Sequence, residues 1–355
     1  ITLWLQNKKA GYYEIWQEMR DVSIKMVKRI YSSLGTSFDL WNGESSVNDI
    51  VPTILKLFED KKLSYESDGA KIVDVAIEGE TEPMPPLLLQ KSNGAQMYPI
   101  TEIATIYQRV RDFNPDKILY VTDFRQALHF KQVFRCVKKA GIVGDKPILT
   151  HIQFGTVNGK DGKPFKTRDG KVAGLEDLID TISDKALEKL KSSDKVQNPT
   201  KELAMKIGVG ALIFGDLINV VSKDYIFDVD KFVNFEGKTG PYIQYSAVRI
   251  KSLLDKSDYK ESSIKIALPS QEKVMMEVLK LINAYDVALE ENSLNALALG
   301  VYELASAYST FYNDVKILKE TDDVKRQSYL NFSRMVLKCI ENACNILAIE
   351  IPERM

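Results

Sequence analysis

Between residues 100 and 154, short apolar segments alternate with segments of helical period, and no other feature of the chain constrains its fold as strongly. Residues 103–113 and 125–140 predict helices, whereas residues 117–121 and 148–154 predict strands. Strands that are joined through a helix run parallel, with a right-handed crossover between them. The alternation therefore predicts a domain of the α/β class built on a parallel sheet.

The segment before this alternation has a different pattern. Apolar residues recur every three or four positions between 11 and 34, which predicts an amphipathic helix, and a second helix is expected from Asn48 to Lys61. Residues 71–77 predict a strand. The segments 87–90 and 95–98 flank an Asn-Gly pair, which predicts a hairpin.

Helical patterns dominate from about residue 198 onward. Helices are predicted over 240–255, 270–287, 294–311 and 326–348. The last of these has six residues spaced for one buried face: Tyr329, Phe332, Val336, Ile340, Cys344 and Leu347. The C-terminal third is therefore expected to form an α-helical bundle.

Composition excludes several classes of protein. A net charge of -1 argues against a global electrostatic attraction to DNA or RNA, so any RNA binding requires a local basic patch. No apolar run approaches the roughly 18–20 residues that span a bilayer, and residues 1–6 are too short for a signal peptide. Three cysteines and two histidines lack metal-ligand spacing, so we expect no metal site and a cytosolic protein.

The ends of the two predicted parallel strands are the first place to expect a ligand, because open α/β sheets bind ligands at the carboxyl ends of their strands. These ends are residues 120–126 and 154–159. Gln126 and His129 lie just beyond the first strand. Gln126 is suited to donate to a substrate and His129 to contact a nucleotide, but a histidine between Leu128 and Phe130 is equally typical of a core position.

A glycine-rich basic loop follows the second strand, from Gly155 to Gly174. It contains Lys160, Lys163, Lys166, Arg168 and Lys171. Lysines on mobile backbone suit the stabilisation of a departing pyrophosphate. Taken alone, the pattern is also typical of a solvated surface loop.

Tyr98 and Glu102 are four residues apart where a strand is predicted to lead into a helix. A carboxylate beside an aromatic face is suited to a guanidinium group. The alternative is structural, because a glutamate near a helix N-terminus is favoured by the helix dipole and a tyrosine packs well at a strand end.

In the helical part, aromatic and polar residues are interleaved at Gln244, Tyr245, Arg249 and Tyr312. Unpaired bases are recognised by stacking on aromatic or guanidinium planes and by hydrogen bonds to their edges. Aromatic residues at helical spacing are nevertheless more often part of a core, so each position alone has two interpretations.

The order and wording of these segments resemble one family. Residues 159–168 read Gly-Lys-Asp-Gly-Lys-Pro-Phe-Lys-Thr-Arg, which closely resembles the arginyl-tRNA synthetase form of the Lys-Met-Ser-Lys-Ser loop. Residues 43–45, Gly-Glu-Ser, and 123–130 also look like segments of that family. Residues 239–245, Thr-Gly-Pro-Tyr-Ile-Gln-Tyr, resemble the entry to its anticodon-binding bundle. The similarity extends over essentially the whole chain.

The resemblance implies a Rossmann-like catalytic domain, present in part, followed by an all-α anticodon-binding domain. The expected parts are 1–165, the remainder of the catalytic domain with a helical insertion; 166–235, the rest of the phosphate loop and a helical linker that contacts the tRNA stem; and 236–355, the anticodon-binding domain.

It also implies a reaction: arginine and ATP, with Mg²⁺, give arginyl-adenylate, and arginine then passes to tRNA(Arg). The ATP–Mg²⁺ complex is a substrate, and no tightly bound cofactor, DNA or membrane partner is expected. Lys163 and Lys166 would be catalytic. The implied contacts with arginine are Tyr98, Glu102 and Gln126; those with ATP are His129, Phe154, Gly155, Lys163 and Lys166; those with tRNA are Gln244, Tyr245, Arg249 and Tyr312.

The chain departs from the family pattern in two ways. Glu102 stands where the family usually has Asp, and Pro99 follows the tyrosine. The family's tRNA-elbow domain and its His-Ile-Gly-His-like motif have no counterpart in these residues. We therefore expect an incomplete copy that does not aminoacylate by itself.

Two other interpretations stay open. One is a tRNA-binding fragment or paralogue without catalysis, although such a protein has no reason to keep Lys163, Lys166 and the arginine pocket. The other is a synthetase for a related amino acid. The loop match and a carboxylate at Glu102 weigh against it.

Overall fold

The computed structural model describes residues 2–163, 174–192 and 199–355. The chain divides into two compact units. Unit 1 comprises Ile1–Lys28 and Phe38–Phe154, and unit 2 comprises Arg29–Ser37 and Gly155–Met355. In the part of the chain that is described, no helix is long and apolar enough to cross a membrane.

Unit 1 is an α/β unit with two small sheets. Its elements are α1 (Thr2–Gln6), most of α2 (Tyr12–Ser33), α3 (Val51–Asp60), β1 (Ser64–Ser67), β2 (Ala70–Val73), β3 (Leu87–Gln90), α4 (Tyr98–Phe113), β4 (Lys117–Asp123), α5 (Ala127–Lys139) and β5 (Ile148–Phe154). β1, β2 and β3 form an antiparallel sheet, and β4 pairs with β5.

The β4–β5 pair is parallel, as the sequence predicts. The register runs from Lys117 opposite Ile148 to Asp123 opposite Phe154, and α5 makes the connection between the strands. Ile118 and Tyr120 on β4 pack into a core with residues of α3, α4 and α5. The carboxyl ends of both strands therefore lie at one edge of the sheet.

The predicted hairpin is confirmed in a short form: Gln90 and Gln96 make an antiparallel bridge, Lys91 N donates to Ala95 O at 3.0 Å, and Met97 N donates to Leu89 O at 3.0 Å. Two other local predictions were wrong. Helix α4 begins at Tyr98 rather than Ile103. Pro99 is compatible with this early start, since the first turn of a helix needs no N–H donor there. Asn48 does not cap α3, which begins at Val51; it ends a 3₁₀ turn over Glu44–Val47.

The predicted helix over 11–34 is confirmed as α2, but the structure leaves its apolar stripe exposed. Ile15, Met19 and Val22 are 60%, 66% and 67% exposed. Ile30, near the end of the helix, packs instead against apolar residues of unit 2. The amphipathic pattern thus identified the helix without identifying what covers it.

Unit 2 is almost entirely helical. Its elements are β6 (Val157–Asn158), α6 (Leu175–Lys191), α7 (Lys201–Leu217), β7 (Tyr225–Ile226), α8 (Val229–Phe232), α9 (Gly240–Asp255), α10 (Pro269–Glu291), α11 (Asn295–Asp314) and α12 (Asp323–Ile346). β6 and β7 form a short parallel pair. Helices α9 to α12 surround one core, and the six residues predicted for the buried face of the last helix all lie in it. The predicted bundle is confirmed.

Glycines let α7 approach its neighbours closely. A Cβ atom on Gly208 would lie 2.8 Å from the Ser183 backbone of α6, and one on Gly215 would lie 2.1 Å from the Phe232 ring of α8. On α9, a Cβ atom on Gly240 would lie 2.2 Å from the Gly210 carbonyl oxygen. Because these contacts leave no room for a methyl group, they determine how α6, α8 and α9 pack on α7.

We expect Gly215→Ala to lower the free energy of unfolding by about 1–3 kcal/mol, because the methyl group would overlap a buried aromatic ring. Gly300→Ala is the matched helical control. Its Cβ atom would lie 3.1 Å from the flexible end of the Leu281 side chain and at ordinary contact distance, 3.5 Å, from the Ala284 Cβ atom. The change gains up to about 1 kcal/mol of helix propensity. Denaturant unfolding followed by circular dichroism measures both; equal unfolding free energies for the two variants would contradict the packing argument.

Candidate functional site

Tyr98 and Glu102 lie on the same face of α4, since residues four apart in a helix are neighbours. The Tyr98 hydroxyl donates a hydrogen bond to the Glu102 carboxylate. Tyr98 is 40% exposed, and Glu102 is partly buried. Two of the three predicted arginine ligands thus lie together at the N-terminal end of one helix.

The surroundings of Glu102 disfavour its charged form. Burial raises the pKa of the Glu102 carboxyl group, while the hydrogen bond from Tyr98 and the positive charge of Arg109 partly oppose this shift. Burial also raises the pKa of the Tyr98 hydroxyl group, and the negative charge of Glu102 adds to that increase. A cation bound beside Glu102 would therefore stabilise a carboxylate that the protein only partly compensates.

Gln126 and His129 follow the end of β4. Gln126 ends the 3₁₀ turn Phe124–Gln126 and precedes α5, and His129 lies in the first turn of α5. The His129 ring centroid is 4.8 Å from that of Tyr98. Burial lowers the pKa of His129, and the nearby His151 lowers it further, so both effects favour the uncharged imidazole.

Two atoms of these residues are buried without a hydrogen-bond partner among the described residues: Oε1 of Gln126 and Nε2 of His129. Buried polar atoms are nearly always paired in folded proteins, and an unpaired one needs an explanation such as a missing ligand or water. Both atoms belong to residues that the sequence predicted as ligands.

Glu44 is a candidate that the residue-by-residue prediction missed. Burial raises the pKa of its carboxyl group, and the negative charge of Glu102 raises it further; Glu44 in turn raises the pKa of Tyr98. The sequence carried a signal for it in the Gly-Glu-Ser segment at 43–45. Its proximity to Glu102 was not predictable, because the two lie 58 residues apart.

Phe154 and Gly155 lie at the transition from β5 to the basic loop. Phe154 is 40% exposed at the carboxyl end of β5. The loop then turns back on itself: Gly162 N donates to Gly159 O at 3.0 Å, and Gly159 N donates to Lys163 O at 2.7 Å. Lys163 is exposed at the end of this turn. Lys166, the second predicted catalytic lysine, lies outside the described residues.

Three of the four predicted tRNA contacts come together in the helical bundle. The Arg249 guanidinium carbon lies 4.6 Å from the Tyr312 ring centroid and 5.8 Å from that of Tyr245. Arg249 also donates to the Ser309 hydroxyl at 2.9 Å. The result is a partly exposed group of two aromatic rings and one guanidinium.

Gln244 is placed differently from those three residues. Its side chain is fully buried, and its amide nitrogen donates to the carbonyl oxygens of Lys206 at 3.1 Å and Glu350 at 2.7 Å. It therefore connects α9 to α7 and to the C-terminal segment, and no exposed atom is left for contact with a base.

Over residues 2–163, 174–192 and 199–355, no cluster of three or more histidine, cysteine, aspartate or glutamate side chains is arranged to hold a metal ion.

Sequence profiles of two families match the chain. The family described as tRNA synthetases class I (R), catalytic domain, matches residues 1–229. The family described as DALR anticodon binding domain matches residues 243–355. Together the two matches account for nearly all of the chain, and they meet near the start of α9.

Individual relatives agree with the profiles. An arginine–tRNA ligase of Alkaliphilus oremlandii is 40% identical over 360 residues, which is 100% of this chain and 61% of the relative. One of Agathobacter rectalis is 40% identical over 366 residues, again 61% of its length. The chain thus spans about three fifths of the curated relatives that it matches.

A solved structure shows the same fold. The arginyl-tRNA synthetase of Plasmodium falciparum superposes with a TM-score of 0.84 at 24% identity, over 99% of this chain and 60% of that one.

We predict that Tyr98→Phe raises the pKa of Glu102 further, because the hydroxyl group that stabilises the charged carboxylate is lost. Carboxyl chemical shifts followed by NMR over a pH titration measure this pKa. Tyr107→Phe, on the same helix, is the control and should leave the pKa of Glu102 unchanged. A Glu102 pKa that stays constant or falls in Tyr98→Phe would contradict the assigned hydrogen bond.

Proposed function

The chain belongs to the class I arginyl-tRNA synthetase family, and we propose that it acts in the ATP-dependent activation of arginine and its transfer to tRNA(Arg). One observation carries most weight for the substrate. Two carboxyl groups, Glu44 and Glu102, both act on the pKa of Tyr98, and the negative charge of Glu102 raises the pKa of Glu44. A guanidinium group supplies the positive charge and the planar donors that such a cluster lacks.

The proposed arginine site uses Tyr98, Glu102 and Gln126, with Glu44 as an additional contact. The carboxylates would pair with the guanidinium, and the Tyr98 ring would pack against it. Glu102 reaches one methylene further than the aspartate usual in the family, and the Tyr98 hydroxyl is its neighbour on α4. Gln126 would use its unpaired Oε1 atom to hold the substrate.

In the first step of the proposed reaction, the carboxylate of arginine attacks the α-phosphate of ATP, and pyrophosphate leaves. His129, which is neutral, and the residues Phe154 and Gly155 at the end of β5 would border the nucleotide. Lys163 and Lys166 would stabilise the charge that develops on the departing pyrophosphate. We propose that Mg²⁺ enters with ATP as part of the substrate and that no cofactor is bound tightly.

In the second step, a ribose hydroxyl of the terminal adenosine of tRNA(Arg) attacks the carbonyl carbon of the adenylate; the arginyl ester forms, the acyl–phosphate bond breaks and AMP leaves. For the anticodon loop we propose a contact surface of Tyr245, Arg249 and Tyr312, because stacked rings with a guanidinium bind unpaired bases. Gln244 is left out of this surface, since it is buried. A cytoplasmic location and the absence of DNA and membrane partners complete the proposal.

The alternative is a tRNA-binding protein without catalysis. The observation that favours it is that the chain spans only 61% of the length of each of these relatives. Intact mass followed by arginine- and tRNA-dependent ATP–pyrophosphate exchange separates the two. Exchange supports the enzyme. A mass equal to the 40.2 kDa of these residues, with tRNA binding and no exchange, supports the binding protein.

Glu102→Gln is expected to raise the KM for arginine on the order of 100-fold, because a desolvated guanidinium would lose its ionic partner. Steady-state exchange measured against arginine concentration tests this. Glu66→Gln, an exposed change on β1, should leave the KM unchanged. If Glu102→Gln also leaves it unchanged, the arginine side chain binds elsewhere.

Changing Lys163 and Lys166 together to Ala should slow adenylate formation on the order of 100-fold or more, because charge stabilisation in the transition state would be lost. The Kd for tRNA should change only slightly. Rapid-quench kinetics and a filter-binding assay measure the two quantities. Equal losses in both would remove the catalytic role from these lysines.

A further inference from the structure

The first arm of the basic loop, Gly155–Asn158, is bonded along its length to a segment some 65 residues later in the chain. Gly155 N donates to Val221 O at 3.0 Å, at the start of the arm. Tyr225 N donates to Thr156 O at 3.1 Å and Phe227 N to Asn158 O at 2.7 Å. We call residues 221–228 the strap. The arm and the strap form the parallel pair β6–β7.

The start of the arm and the strap touch backbone to backbone. A Cβ atom on Gly155 would lie 2.5 Å from the carbonyl carbon of Lys223 and 2.7 Å from Asp224 N. No other residue type fits at position 155 without a shift of one backbone segment. The strap therefore restricts the backbone path of the loop at Gly155.

Asp224 adds a side-chain anchor at this point. Its Oδ1 atom accepts a hydrogen bond from Thr156 N at 2.7 Å. Thr156 is the residue directly after Gly155, where the loop begins. Bonds from a backbone N–H group to a carboxylate are stronger than bonds between neutral groups, so this contact restrains the start of the arm more firmly than the ladder alone.

Asp228 provides a second anchor at the other end of the arm. Its Oδ2 atom lies 3.1 Å from Lys160 Nζ, and its Oδ1 atom accepts from Lys231 N at 3.4 Å as the N-cap of α8. The Asp228 side chain is 28% exposed and that of Lys160 68%. The carboxylate is therefore the better fixed partner, and Lys160 is held by it.

Asp224 and Asp228 thus bracket the arm from which the lysine-bearing turn extends. We propose that Asp224 and Asp228 are positioning residues for this loop. They fix its first arm, and the turn at Gly159–Lys163 connects the arm directly to Lys163, so the position of the arm determines the position of the Lys163 backbone. The inference rests on the proposed role of Lys163 in phosphate binding. It assigns Lys160, by contrast, to holding the loop.

Positioning matters here because a lysine is a point charge on a flexible stem. The lysine backbone must be held in place if the ammonium group is to stabilise the negative charge that develops on the phosphate. Small displacements of a catalytic group lower the reaction rate strongly. Lys163 O accepts from Gly159 N at 2.7 Å, so the backbone of Lys163 returns to the end of the arm. If the arm were restrained less firmly, the Lys163 backbone would therefore occupy a wider range of positions.

Amide hydrogen exchange of the 355-residue chain tests the anchor directly. In Asp224→Ala, exchange at Thr156 N–H should rise about tenfold, the effect of one lost hydrogen bond. Asp224→Asn keeps an acceptor oxygen and should restore most of the protection. Asp230→Ala is the control, because Asp230 pairs with Lys185 and lies outside the strap. Unchanged exchange in Asp224→Ala, or an equal rise in the control, would overturn the proposal.

The kinetics of ATP–pyrophosphate exchange test whether Asp224 and Asp228 contribute to the proposed activation of arginine. The kcat of ATP–pyrophosphate exchange should fall about tenfold in Asp224→Ala and about threefold in Asp228→Asn, because a partly exposed ion pair restrains less than a charge-assisted bond to backbone. The Asn at 228 keeps the helix cap. The KM for arginine should stay constant in both. A loss that appears in this KM alone would overturn the positioning role.

The two hypotheses fail separately. If the unaltered chain gives no ATP–pyrophosphate exchange, the proposed function of this chain fails, and amide exchange at Thr156 alone decides whether Asp224 holds the arm. If the unaltered chain is active and the amide data show no anchor, the positioning proposal fails while the proposed function stands.

Discussion

The parallel pairing of β4 with β5 ends with Asp123 opposite Phe154. The positions of Gln126, His129 and Phe154 depend on where this pairing ends. Because both strands point the same way, the chain leaves each of them at one edge of the sheet. At that edge β4 continues into Gln126 and His129, and β5 continues into the basic loop. The strand pairing thus places the ends of β4 and β5, which α5 separates in the chain, at one edge of the sheet.

The electrostatics of the cluster follow from partial burial. Burial disfavours the charged forms of Glu44 and Glu102, and each carboxyl group is close to other negative or ionisable groups. The hydrogen bond from Tyr98 and the charge of Arg109 offset only part of this cost. Such a site gains most from a ligand that brings positive charge and several donors, which is the chemistry of a guanidinium.

In unit 2, close backbone contacts determine how neighbouring chain segments are placed. The glycines of α7 let α6, α8 and α9 approach it, and Gly155 lets the basic loop lie directly on the strap. Where a side chain would not fit, the backbones can approach only along a restricted set of paths. The first part of the basic loop and the helix that carries Tyr245 and Arg249 are therefore placed by glycine contacts as well as by apolar cores.

The local sequence pattern was sufficient to predict much of this fold. The sequence alone determined the parallel strands, the helical bundle with its buried face on α12, and the residue types of the candidate site, because periodicity and short motifs depend on neighbours in the chain. It misplaced the start of α4, and it revealed neither the proximity of Glu44 to Glu102 nor the burial of Gln244. Only the tertiary structure decided these points and the Asp224 and Asp228 anchors, because proximity and burial arise from packing between segments that are distant in sequence.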